Sequence, residues 1–122
     1  MRESVIQSNI MRYLEKLPGT YCLRPITCTS SGHPDIIALR NGVFYGIEVK
    51  QPGKYPTIIQ RVRLDKITAC GGIAIVATSV DDVKSVMDPA GGRSIGRIVI
   101  DEDPDGVITE TIKHKLQKRI IT

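Results

Sequence analysis

The stretch Asp35-Ile36-Ile37-Ala38-Leu39-Arg40-Asn41-Gly42-Val43-Phe44-Tyr45-Gly46-Ile47-Glu48-Val49-Lys50 decides the fold. Two runs rich in β-branched and aromatic residues flank Asn41-Gly42, a pair suited to the two-residue turn of a β-hairpin. Such a turn pairs Arg40 with Val43, and counting outward sets Asp35 opposite Glu48. Side chains alternate across a strand, so Glu48 and Lys50 share a face, with Gly46 leaving space beside them. Val43, Tyr45, Ile47 and Val49 fill the other face. Directly opposed residues hold their Cβ atoms about 4.5–5.5 Å apart, and like charges at that separation destabilise a sheet unless a positive charge lies between them. A hard divalent cation, Mg²⁺ or Mn²⁺, answers that need by taking the two carboxylates and a backbone carbonyl, that of Val49, as ligands while keeping several waters. The plainer alternative is a pair of solvated acids on an exposed sheet face, neutralised by Lys50.

Working outward, Ile6, Ile10, Tyr13, Leu14 and Leu17 recur at three- and four-residue spacing, which predicts an amphipathic helix from Glu3 to Leu17, ended by Pro18-Gly19. Strands are expected over Tyr21 to Ile26, Asp35 to Arg40 and Val43 to Lys50. A second helix should run from about Thr57 to Cys70 and stop at Gly71-Gly72, before a buried strand over Ile73 to Thr78. Ser79 caps a short helix through Met87. Beyond Pro89, Ile95 to Ile100 and Val107 to Ile112 form a candidate second hairpin around Asp103-Pro104-Asp105-Gly106. The order of elements predicts an α/β fold, a mixed sheet flanked by helices. One domain is expected over residues 1–122, with its core in about 1–88 and an extension over about 89–122.

A length of 122 residues with 41% hydrophobic content suffices for one compact core. The first twenty residues mix Arg2, Glu3, Arg12, Glu15 and Lys16 among the apolar ones, so no signal peptide or membrane span is expected and a cytoplasmic, intracellular setting is the reading. Three cysteines without CxxC spacing oppose a disulfide framework or a thiolate zinc site. A formal charge of +4 suits an anionic polymer as partner without specifying one.

Other residues carry two readings each. Glu3 either interacts with the positive end of its helix or reaches the acidic pair from the start of the core-facing stripe. Gln60 follows Thr57 by three residues, so Thr57-Ile58-Ile59-Gln60 also reads as a capping box. His33 touches a phosphate or is a structural loop histidine ahead of Pro34. Lys54, Arg61, Arg63 and Lys66 are candidates for phosphate contacts or an ordinary solvated helix face.

Gly32-His33-Pro34-Asp35-Ile36-Ile37, Gly46-Ile47-Glu48-Val49-Lys50, Gln60 and Gly71-Gly72 together resemble, in order and spacing, the VRR-NUC (virus-type replication-repair nuclease) family of the PD-(D/E)xK superfamily. The resemblance runs from Glu3 to about Val86 and is to the stand-alone type of phage and bacteria. It implies a restriction-endonuclease-like fold and a metal-dependent endonuclease, with Glu3, Asp35 and Glu48 as acidic site residues, Lys50 as catalytic lysine and Gln60 on the following helix. It further implies a Mg²⁺ or Mn²⁺ cofactor, products with 5′-phosphate and 3′-hydroxyl ends, and a homodimer that cuts four-way DNA junctions. The alternatives are a DNA-binding module that keeps the fold without catalysis and a flap- or restriction-type endonuclease.

Overall fold

The computed structural model describes residues 1–88; the expected hairpin of Ile95 to Ile112 lies outside them. The elements are α1 (Glu3–Lys16), β1 (Thr20–Leu23), β2 (Ile36–Arg40), β3 (Val43–Val49), α2 (Ile58–Ala69), β4 (Ile73–Ala77) and α3 (Val80–Met87). The strands form one sheet in the order β1-β2-β3-β4, antiparallel except for the parallel pair β3 and β4. This is the mixed α/β architecture expected from the sequence. None of the described helices is long and apolar enough to cross a membrane.

The turn sets the register. Asn41 and Gly42 both adopt positive φ, 51° and 82°, the requirement of the turn whose twist matches the flanking strands. Arg40 pairs with Val43, and the ladder runs to Ile36 opposite Ile47. It stops there, so Asp35 stands one residue before the strand rather than within it. The first strand also ends at Leu23 instead of Ile26, because Pro25 has no N–H to give to a ladder.

α1 and α3 touch each other and cover one sheet face, α1 lying on β1 to β3 and α3 on β4, while α2 packs on β3 and β4 from the other side. Ile6, Ile10 and Leu14 of α1 meet Ile36, Ala38, Ile47 and Val49 in the core. Every residue of β4 is buried, as its apolar run predicts. Ser79 accepts a hydrogen bond from the Asp82 N–H and starts α3.

Gly46 corrects the expectation of free space beside the acids. A Cβ there would lie 2.5 Å from Ile67 Cδ1 and 3.1 Å from Pro34 Cγ, so helix α2 and the Pro34-Asp35 corner occupy that volume. The absent side chain lets a helix close onto the sheet. Gly46→Val should therefore destabilise the protein by about 1–3 kcal/mol through overpacking, read as a melting temperature several degrees lower with an unchanged far-UV spectrum.

Candidate active site

The last turn of β3 carries an acid into the interior. Glu48 is 1% exposed, with Val76 of β4 as its parallel partner. Its Oε1 is buried and has no hydrogen-bond partner, while Oε2 lies 3.6 Å from Lys50 Nζ. Burial first, and then the nearby charge of Asp35, push its pKa up to about 8; Lys50 works against them, and Glu3 adds a smaller push upward. Lys50 is itself largely buried, its backbone N–H donating to Ala77 O at 2.9 Å. Two strands thus fix the lysine beside the acid.

Asp35 reaches the same place by a different route from that expected. Its Oδ2 accepts the backbone N–H of Val49 at 2.8 Å, replacing the rung that β2 would otherwise supply. Its charge acts on the Glu48 carboxyl beside it. Asp35, Glu48 and Lys50 therefore come together. Glu3 begins α1, half-buried and close enough to act on the charge of Glu48. Among the described residues no group of three or more His, Cys, Asp or Glu side chains is gathered as a complete metal site, so Glu3 does not close a three-acid cage.

The remaining candidates divide. Gln60 closes a capping box, its Oε1 accepting the Thr57 N–H at 2.8 Å and its own N–H donating to Thr57 Oγ1 at 3.3 Å. His33 Nε2 lies 2.8 Å from Ser30 Oγ in the loop ahead of Asp35. Arg63 Nε donates to Ser31 O at 3.1 Å and straps that loop to α2. Lys54 is exposed in the turn after Lys50, Arg61 is half-buried on α2, and Lys66 lies near the far end of that helix, beside Phe44 and Cys70. Sequence reading missed Gln7 and Arg24. Arg24 Nη2 donates to Gln7 Oε1 at 2.7 Å and ties the other end of the loop to α1; seventeen residues separate them, and no local pattern joins them.

A buried, uncompensated carboxylate oxygen beside a second acid is a place for a cation. Without one, folding must favour protonated Glu48. An acid whose pKa rises from 4.5 to about 8 on folding holds its proton more tightly in the folded chain, so its contribution to stability declines as pH climbs through that window and levels off above it. In metal-free buffer the melting temperature of the parent should fall, relative to Glu48→Gln, between pH 5 and 8, and Mg²⁺ should restore part of it at pH 8. Parallel curves for the two proteins would contradict this.

No family model and no curated protein matches the chain. Solved structures do. One described as "VRR_NUC domain" superposes with a TM-score of 0.62 at 23% identity, over 70% of this chain and 94% of that one. A second, "VRR_NUC domain protein", gives a TM-score of 0.59 at 24% identity, over 71% and 85%. The likeness read from the motifs thus extends to three dimensions: this chain has the restriction-endonuclease-like fold of the VRR_NUC domains.

Proposed function

We propose that the chain is a VRR-NUC endonuclease, which hydrolyses DNA phosphodiester bonds with a divalent cation. The observation that carries this reading is Glu48 Oε1, buried and unpartnered next to Asp35 and Lys50. Asp35, Glu48 and the Val49 carbonyl would hold the ion, with Glu3 nearby to add negative charge. When bound, Mg²⁺ or Mn²⁺ supplies Lewis acidity and a more acidic water.

The protein's own part is electrostatic and positional. Val49 N–H fixes the Asp35 carboxylate, so its free oxygen is oriented before any ligand arrives. Lys50, held by the Ala77 carbonyl through its backbone and by Glu48 through its ammonium, presents a charge-assisted donor to the phosphate or the attacking water. Attack by water on phosphorus breaks the P–O3′ bond, giving 5′-phosphate and 3′-hydroxyl ends. Gln60, anchored through Oε1, keeps its amide nitrogen at the mouth of α2. The charge of +4 supports attraction to a polyanion, and the expected cytoplasmic setting suits that substrate.

Asp35→Ala, Glu48→Ala and Lys50→Ala should each lower cutting by orders of magnitude while circular dichroism shows an intact fold. Retained activity in Lys50→Ala would sink the assignment.

The finer reading is a homodimer acting on four-way junctions. A single domain supplies one site, and paired cuts at a branch point call for two related by a two-fold axis. A row of apolar residues supports self-association: Tyr21, Leu39 and Phe44 are register partners on one face of β1, β2 and β3, and all are exposed, Tyr21 by 68%. Light scattering at micromolar concentration should give twice the chain mass, and labelled linear, flap, nicked and four-way substrates with Mg²⁺ or Mn²⁺ should show the junction cut fastest. A monomer that leaves junctions whole would end this finer reading and spare the nuclease.

A further inference from the structure

Between β1 and β2, the segment from Pro25 to Asp35 lines a shallow, open hollow of about 500 Å³ that reaches Asp35 itself. That volume falls within the usual range for small-ligand sites. Its wall is polar, made by Thr29, Ser30, Ser31 and His33, and its rim carries Ile26, a branched aliphatic side chain that is 94% exposed.

The loop is tied to the helices on either side of it. Arg24 is bonded to Gln7 of α1, Ser31 O to Arg63 of α2, and Ser30 to His33 across the loop. Gly32, at a φ of 84°, sits so close to α2 that a Cβ would come within 3.0 Å of Ile59. Strapped this way, the segment is a preformed wall, and two guanidinium groups bracket it.

Resting on the nuclease reading above, we propose that this hollow receives one unpaired nucleotide flanking the scissile phosphate, with Ile26 holding its base out of the stack. A phosphodiester at Asp35 and Glu48 places the adjoining nucleotide against the hollow. The hydroxyls and imidazole suit its sugar and phosphate oxygens, and an aliphatic side chain suits the face of a base. Apolar side chains of this kind insert at base steps and hold them apart. A continuous duplex keeps its bases paired and stacked inward, whereas a flap or gap offers an unpaired nucleotide that costs less to unstack. The loop therefore selects DNA that is unpaired next to the cut.

The test uses the full chain and 2-aminopurine placed beside the mapped cut site in branched and continuous DNA, with Ca²⁺ as the ion for binding. Fluorescence should rise several-fold on binding branched DNA to the parent and to Ile26→Leu, and stay near the unbound level with Ile26→Ala. With Mg²⁺, Ile26→Ala should cut branched DNA about tenfold more slowly, the loss of roughly 1.4 kcal/mol of unstacking support. Because Ile26 is exposed, its variants should melt with the parent. Cutting without any fluorescence rise, or equal cutting of continuous and unpaired substrates, overturns this inference alone; no cutting of any DNA with Mg²⁺ or Mn²⁺ overturns the nuclease reading beneath it.

Discussion

A carboxylate buried at the end of a central strand is the constraint around which this fold is arranged. Glu48 has β4 on one side, the Asp35 corner beyond the end of β2 on the other, and almost no contact with solvent, the situation in which an isolated charge is most costly. Lys50 relieves it only partly, standing 3.6 Å from one oxygen and leaving the other without a partner. Asp35 makes matters worse by adding a like charge. Such an arrangement lowers stability in the free protein, and a folded chain tolerates it where the surrounding apolar core is large enough to offset it. Here that core spans both layers, from Ile10 and Leu14 of α1 through Ile47 and Val49 to Leu64 of α2 and Val83 of α3.

The sequence showed the position of Glu48 clearly because one local rule governs it. Two residues with positive φ at Asn41-Gly42 fix the hairpin, and each side chain of β3 then has a determined face and partner. The capping box at Thr57 and the cap at Ser79 are local in the same way. What pattern reading could not give were contacts between distant residues. Asp35 leaves the ladder and bonds with its side chain instead, Ile67 comes down on Gly46, and Arg63 reaches the Ser31 carbonyl. Each depends on how closely two layers approach, which periodicity does not encode.

The cations of α2 illustrate the same boundary from the side of charge. Residues two apart on a helix point roughly 200° from each other, so Arg61 and Arg63 cannot form one basic stripe however near they stand in sequence. Arg63 faces the loop and is used there, and Lys66 lies beside Phe44 and Cys70, close to the other end of the helix. A phosphate backbone at the acidic pair would meet cations scattered around the site, not a rail along one helix.

That scatter changes what α2 is for. Its first turn is capped by Thr57 and Gln60 directly after the segment that follows Lys50, Ile59 bears on Gly32, Arg63 bonds Ser31, and Ile67 fills the space above Gly46. Successive turns of one helix thus touch the loop before Asp35 and the strand that carries Glu48. Because these contacts lie on a single rigid element, the two carboxyl groups cannot separate without breaking several of them together. Once Glu48 ionises, its repulsion with Asp35 acts to push the loop away from β3; the helix resists that push. The site is held in its costly geometry by packing and hydrogen bonds along this one helix.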